Sequence, residues 1–405
     1  MATLITEHCW LVIGFNGRPI VESLNHYLGK KEAPIAAVDY FADIETRACA
    51  KHLFSVIKQE IGERSDRIFH RSPGDYLTEL AEILTDEIPV GTILLGSGMD
   101  DRPDLWRRIA SLGKLKANDS DKLAMLRNRA ILFEKAKKVG LRVPKYQLFT
   151  TLSEFEATLS KFEFPCIVRR EGGAGGLHIF KCFNEADAIQ AAHSLLTQFG
   201  KAIIESFEGG LPASVSILGT AEQAMPLAFN EQLIGCKSSF CPSSFGFCGN
   251  ITPLQLPSES LDLLTEQFTR LGEQLQLIGT NGFDFVLKNG EACVFELNPR
   301  FQGSLEPIEQ AYDINLVEAH LNCFAGHLPD IPARKGVAVR KILYAPKQIT
   351  VPELPPHLAK DRPLPGVIIS QGSPYVSVVA QGQSRGDMLQ QLAQKEELIW
   401  KKTGM

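Results

Sequence analysis

The sequence predicts a chain of α/β and α+β parts, and three observations predict it. Over the first ~115 residues, short apolar runs alternate with helix-like stretches, as in a parallel sheet covered by helices. Later, two apolar runs flank Asn289-Gly290, a dipeptide that closes tight hairpins. Between them, helical and strand-like periods continue to alternate, with Gly and Pro at the joints.

The elements follow in order. Residues 10–14 read as a buried strand, Gly14, Gly17 and Pro19 as a turn, and 20–28 as a helix. Residues 34–40 and 92–96 read as further strands, with a turn at 71–74 and a helix over 75–85 between them. Leu123, Met125, Leu126, Ala130, Leu132 and Ala136 give one helix over 122–139, stopped by Gly140. Strands at 164–168 and 177–182 flank the glycine run 172–176. A helix at 184–199 and strands at 202–207, 213–218 and 226–229 come next. A helix at 261–277 precedes the hairpin strands 282–287 and 292–298. Beyond a Pro-rich link at 352–365, the tail reads as strands 366–370 and 375–381 and a helix from Arg385.

At about 150 residues per domain, 405 residues predict two to three domains. Hydrophobic residues at 44% and charged residues at 22% suffice for a sizeable core. A net charge of −5 gives no reason to expect nucleic acid or an anionic membrane. The longest apolar runs are strand-length, short of the ~20 residues of a membrane span. Residues 1–8 lack a charged region followed by an apolar signal core, so a cytoplasmic location is expected. The nine cysteines are odd in number and include no C-x-x-C, which predicts reduced, mostly buried thiols. Cys236, Cys241 and Cys248 cluster, but their spacing matches no zinc pattern.

The predicted hairpin carries the sharpest chemistry. Glu296 and Asn298 stand two apart on one strand and so face the same side. If the turn pairs the strands, Asp284 projects onto that face from the neighbouring strand. Three oxygen donors among apolar residues call for a cation, because burying unpaired carboxylates is costly. Magnesium suits such a set, since it takes one or two carboxylates and leaves its other positions to water and phosphate. Arg300, just beyond Pro299, is placed to stabilise a transferring phosphoryl group.

Three further features are weaker alone. Arg169-Arg170-Glu171 leads into Gly172-Gly173-Ala174-Gly175-Gly176, a loop whose backbone N–H groups can cover polyphosphate or which is simply a surface turn. No Gly-Lys-Ser/Thr closes it, so it is not a Walker loop. The strand that ends Glu205-Ser206-Phe207-Glu208 offers backbone to an adenine and a carboxylate to a ribose. Lys122, at the start of a helix, offers a charge to phosphate.

The order of these features is more specific than any one of them, and it resembles the ATP-grasp superfamily. The likeness is to carboxylate–amine ligases related to the ATP domains of carbamoyl phosphate synthase and biotin carboxylase, over roughly residues 115–345. The resemblance implies an ATP-grasp fold, two α+β lobes clamping ATP, preceded by a parallel α/β pre-ATP-grasp domain. The implied divisions are 1–115 for that domain, 116–210 for the part with the glycine-loop lobe, 211–345 for the part with the magnesium hairpin, and 346–405 for a strand-helix extension. It implies ATP and Mg2+ or Mn2+ as cofactors, and small-molecule acid and amine substrates. Relatives of this kind are commonly dimers, so a homodimer is the expected assembly.

By the same resemblance, Lys122 and Arg169 match phosphate-holding cations and Gly172 to Gly176 the mobile loop. Glu205, Ser206, Phe207 and Glu208 match the adenine and ribose strand, Asp284, Glu296 and Asn298 the metal positions, and Arg300 the catalytic arginine. Relatives usually have Lys-Pro where this chain has Arg169-Arg170, and an acid where it has Leu211-Pro212-Ala213-Ser214. The stretches 17–19, 38–43, 249–253 and 298–306 resemble the ligases of methanofuran biosynthesis, which implies the glutamate γ-carboxyl as acid, tyramine or tyrosine as amine, and Arg18, Gln302 and Glu306 in the substrate pocket.

Three other functions compete. A dinucleotide oxidoreductase would use Gly14, Gly17 and Asp39, but the G-x-G-x-x-G spacing is missing. A carboxylase or carbamate-forming relative, and a non-catalytic ATP-binding regulator, share more of these features.

Overall fold

The computed structural model describes residues 8–29, 33–62, 72–173 and 175–405. Its first layer is a five-stranded sheet in the order His52–Ser55, Ile35–Asp39, Cys9–Gly14, Val90–Leu95, Lys114–Lys116, with every pair parallel. The central strands are near-continuous apolar runs because both faces are covered. Val12, Ala37 and Leu94 pack with Ile20, Val21 and Leu24 of the helix Arg18–Leu28. Leu11, Ile13, Ala36, Val38 and Ile93 point the other way, onto Leu77 and Ala81 of Pro73–Glu87 and Leu105 of Pro103–Ala110. The expected parallel layer is present, and two short edge strands, His52–Ser55 and Lys114–Lys116, enlarge it.

Successive strands lie on opposite sides of Cys9–Gly14, so a crevice opens at the carboxyl ends of Cys9–Gly14 and Val90–Leu95. The backbones touch there: a Cβ on Gly14 would lie 3.1 Å from the Gly96 Cα. The loop leaving Val90–Leu95 carries Asp100 and Asp101 out of this crevice toward the rest of the chain.

The single helix expected over 122–139 is two. Ser120–Leu126 ends at Arg127, and Asn128 caps a second helix, Arg129–Lys138, by accepting from the Ile131 N–H. An asparagine oxygen competes well for the free N–H groups of a helix start, so the chain turns here although the apolar period runs on. A four-stranded antiparallel sheet follows, in the order Tyr146–Phe149, Ala202–Ser206, Cys166–Arg169, Ile179–Cys182. Helices Leu152–Leu159 and Glu185–Phe199 cover one face, with Phe155, Ala188, Ala192 and Leu195 packed on Phe149, Val168 and Ile204.

The remainder centres on a seven-stranded antiparallel sheet: Glu291–Asn298, Ile278–Lys288, Leu211–Thr220, Ala224–Ile234, Phe247–Thr252, Val337–Tyr344, Pro374–Gly382. The hairpin forms as its turn sequence requires, with positive φ at both Asn289 (54°) and Gly290 (82°). Phe283, Phe285, Val294 and Leu297 pack against Leu264, Phe268 and Leu271 of the helix Ser258–Gln274. The tail strand Pro374–Gly382 hydrogen-bonds along Val337–Tyr344 in this same sheet, and the helix Arg385–Lys402 packs over it through Met388, Leu392 and Ile399.

His320 ties the first layer to this sheet. Its Nδ1 accepts from the Thr280 N–H at 2.9 Å, leaving Nε2–H to donate to the Lys116 carbonyl at 3.0 Å. Burial brings the imidazole pKa down to about 4. An unfolded chain takes up this proton near pH ~6.5, while the folded chain resists it until about pH 4. The stability contributed is therefore complete above pH ~6.5 and drains as pH falls toward 4, by about 3 kcal/mol at most. The urea midpoint should fall less steeply between pH 7.5 and 5 in His320→Asn than in the parent chain; equal slopes would contradict this account.

Candidate active site

The hairpin register sets Asp284 directly opposite Glu296, with a bulge just after Asp284. While Phe283 and Phe285 turn into the core, Asp284 turns out with Glu296 and Asn298 onto one face, as the period of two requires. Gln232, on the strand Ala224–Ile234, donates to one Asp284 oxygen at 2.7 Å, and Asn298 Nδ2 donates to the other at 2.8 Å. Burial, and then the charge of Glu296, push the Asp284 carboxyl up to about 6. Glu296 moves the other way: burial opposes its charge, but Arg127 and Arg169 outweigh that and hold it below its ordinary value.

The cations come from the helix break and the small sheet. Arg127 reaches Glu296 at 2.7 Å, Asp101 at 2.6 Å and the Leu297 carbonyl at 2.6 Å. Arg169 lies 3.8 Å from Glu296. Arg129 pairs with the buried Glu205 and lies over the rings of Phe133 and Tyr146. Lys122 is not brought to this group; its ammonium bonds the Gln276 carbonyl. A continuous helix would have made Lys122 the natural choice. The break at Arg127-Asn128 instead aims Arg127 and Arg129 inward, and the asparagine between two arginines was the signal for it.

The glycine loop reaches the same group from above. Gly172 and Gly173 have φ of 75° and 106°, and a Cβ on Gly172 would meet Asp101 at 2.7 Å. The Gly173 N–H donates to Asp101 Oδ2 at 2.7 Å. Ala174 lies outside the described residues. Gly175 and Gly176 turn against loop 243–247: Phe247 N–H donates to the Gly175 carbonyl at 3.4 Å, and a Cβ on Gly176 would fall 1.7 Å from the Phe245 carbonyl. Arg170 stacks on Phe199, 4.5 Å from the ring centroid, rather than on the Asp284 and Glu296 face.

The strand Ala202–Ser206 supplies the rear wall. Glu205, expected at a nucleotide, is buried and engaged by Arg129. Ser206 Oγ donates to Glu208 at 3.1 Å and accepts from the Lys145 N–H at 3.1 Å. Glu208 also meets Arg142 at 3.3 Å. Lys181 Nζ sits 3.6 Å from the Phe207 ring centroid, a cation at this strand end that the sequence did not single out.

Arg300 Nε bonds both oxygens of Asp100, at 3.1 and 3.0 Å, and its Nη2 donates to Asn298 Oδ1 at 3.3 Å. Gln302 reaches back to the Asn298 carbonyl at 3.4 Å. Arg18 and Glu306 are joined at 2.6 Å, but both are buried, and they do not line an open pocket as expected. Arg18 also bonds Glu22 at 2.6 Å and Asp361 at 2.7 Å, and Asp361 pairs with Arg340 at 2.7 Å. A guanidinium taken from water must have each edge matched by a carboxylate, so this network ties the first helix to the tail. Asp100, Asp101, Arg127, Arg129, Lys181 and Gln232 are the site residues that sequence reasoning missed.

Among the described residues no group of three or more His, Cys, Asp or Glu is arranged to hold a metal ion. The hairpin set, with two carboxylates and an amide, falls outside that kind of cluster. No helix among the described residues is long and apolar enough to cross a membrane.

Residues 126–304 match the model of the ATP-grasp domain. An uncharacterized protein of Methanocaldococcus jannaschii is 25% identical over 378 residues, spanning 91% of this chain and 87% of its own length. The structure of a biotin carboxylase from Campylobacter jejuni superposes with a TM-score of 0.72 at 14% identity, over 98% of this chain and 92% of that one. An L-amino acid ligase from Bacillus licheniformis superposes with a TM-score of 0.69 at 14% identity, over 96% and 98% of the two chains. Residues 126–304 therefore carry an ATP-grasp domain, and nearly the whole chain shares its fold with these enzymes.

The two candidate phosphate cations separate experimentally. Arg129→Gln should weaken ATP binding at least about tenfold, while Lys122→Gln should leave it within about threefold. Isothermal titration, with circular dichroism to verify folding, checks this; the reverse ranking would restore Lys122.

Proposed function

We propose that this chain, which carries an ATP-grasp domain and takes ATP with magnesium, is an ATP-dependent ligase that joins a carboxylic acid to an amine through an acyl phosphate. The observation that carries the proposal is the Asp284–Glu296 pair, set between Arg127 and Arg169 on one side and Arg300 on the other, with the glycine loop adjoining. This is the mix of carboxylates and guanidinium groups that a polyphosphate and its cation require.

The donor set fits magnesium. Two carboxylates face each other across the hairpin, and the charge of Glu296 adds to burial in making ionisation of Asp284 costly. A divalent ion removes that cost. Asp284, Glu296 and the Asn298 amide oxygen would hold it, and it would supply positive charge against the phosphate oxygens.

The residues then divide the work. Arg127, Arg129 and Arg169 hold phosphate oxygens against the repulsion of Glu296. The Gly173 N–H, now on Asp101, has the direction to donate to a phosphate oxygen when Asp101 is displaced. A substrate carboxylate oxygen attacks the γ-phosphorus, and the bond to the ADP oxygen breaks. Arg300, held by Asp100, faces the charge that spreads over the transferring group. The amine nitrogen next attacks the acyl carbon, the carbon–oxygen bond to phosphate breaks, and the nitrogen loses a proton. A closed glycine loop keeps water off the acyl phosphate between these steps.

The narrower proposal is a glutamate γ-carboxyl as acid and tyramine or tyrosine as amine. It rests on the resemblance of residues 298–306 and the three shorter stretches, with Gln302 and Arg300 facing the space beside Asn298. Carboxylation is the second function to weigh, because the fold is as close to a biotin carboxylase as to an amino-acid ligase.

One assay separates them. ADP release should require an acid and an amine together, with an amide product seen by mass; dependence on bicarbonate would transfer the proposal to carboxylation. Glu296→Gln should lower turnover by about a hundredfold or more in a chain that circular dichroism shows still folded, whereas full activity would remove Glu296 from the site.

A further inference from the structure

The loop between the strands Ala224–Ile234 and Phe247–Thr252 brings three thiols together beside the glycine loop. Cys236 and Cys248 flank it, and the Cys236 N–H donates to Cys248 Sγ at 3.4 Å. The thiols themselves donate to backbone carbonyls, Cys248 to Gly246 at 3.5 Å, Cys236 to Ile234 at 3.9 Å and Cys241 to Ser243 at 3.3 Å. Cys248 is buried, whereas Cys236 and Cys241 are half-exposed. Lys341, anchored to Ser238 at 3.1 Å and Glu396 at 2.8 Å, places its charge near Cys236. The hydrogen bond with Cys248, followed by Lys341 against the effect of burial, brings the Cys236 thiol down to about 7. Burial pushes the Cys241 thiol up. The other thiol pair in contact, Cys166 and Cys182, is shut inside the core of the small sheet.

The same loop holds the glycine loop. Ser243 Oγ donates to the Gly176 carbonyl at 3.4 Å, and Phe247, the neighbour of Cys248, donates to Gly175 at 3.4 Å. The backbone at Phe245 leaves no room for a Cβ on Gly176.

We propose that Cys236 and Cys248 are a peroxide-sensitive dithiol whose reversible disulfide displaces loop 237–247 and thereby weakens ATP binding. The Cys236 thiolate attacks one oxygen of hydrogen peroxide, the O–O bond breaks, and hydroxide leaves and takes up the proton Cys236 gave up. Cys248 sulfur then attacks the sulfenic sulfur, the S–O bond breaks, and water leaves with the Cys248 proton. Two thiols and one peroxide thus become one disulfide and two waters. Disulfide formation joins the Cys236 sulfur to the sulfur that its own backbone N–H already meets, at about 2.05 Å. Phe247, one residue from Cys248, moves with them, and its bond to Gly175 is already long.

The linkage itself does not depend on the ligase proposal; only its effect on ATP does. The full chain is treated with hydrogen peroxide, alkylated, and mapped without reduction, and Mg-ATP affinity is measured by titration. The expected result is a Cys236–Cys248 linked peptide and about tenfold weaker ATP binding, both reversed by dithiothreitol. Cys236→Ser should bind ATP like the reduced parent and ignore peroxide, and Cys248→Ser should trap Cys236 as a dimedone-reactive sulfenic acid. Absence of the linked peptide, a linkage that leaves affinity unchanged, or a peroxide effect surviving in Cys236→Ser overturns the proposal. Failure of the ligase proposal would show separately, as a reduced chain that binds ATP but releases no ADP with any acid and amine.

Discussion

The structure turns on the cost of holding Asp284 and Glu296 face to face. The hairpin register fixes their opposition, so the rest of the chain must supply compensation. It comes from three regions distant in sequence: Arg127 at a helix break, Arg169 at the end of a strand in the small sheet, and Gln232 on a neighbouring strand. Arg127 is held in turn by Asp101, and the neighbouring Arg300 by Asp100, both from the loop that leaves the parallel layer. The loop of the parallel layer is thus electrostatically part of the candidate site.

Asp101 stands between the arginine and the glycine loop. It accepts from Arg127 and from the Gly173 N–H at once, as a phosphate oxygen would. A carboxylate in that position satisfies the loop N–H and the arginine together.

The buried network around Arg18 makes a different kind of link. With Glu22, Glu306, Asp361 and Arg340 it spans the first helix, the helix Leu305–Tyr312 and the tail. Asp361 is held well below the ordinary carboxylate range by Arg18 and Arg340, against its burial. Such a network is costly to desolvate and more costly to break, which fixes the placement of the tail more than it adds net stability. The dithiol loop is its opposite: lightly held, half-exposed, and in contact with the glycine loop.

By itself the sequence determined what is local. Asn289-Gly290 dictated the hairpin, the period of two put Glu296 and Asn298 on one face, and continuous apolar runs dictated a parallel layer, because backbone geometry and side-chain period act over a few residues. The tertiary structure decided which charges meet. Lys122 and Arg129 are both basic residues near helix starts, and only the capped break at Asn128 and the packing of Phe133 and Tyr146 carry Arg129 to Glu205 and leave Lys122 on a carbonyl. Arg18 and Glu306 read as pocket residues until the fold brought Asp361 beside them and closed water out. Charge pairing depends on distance and desolvation across hundreds of residues, and the linear order of the chain encodes neither quantity.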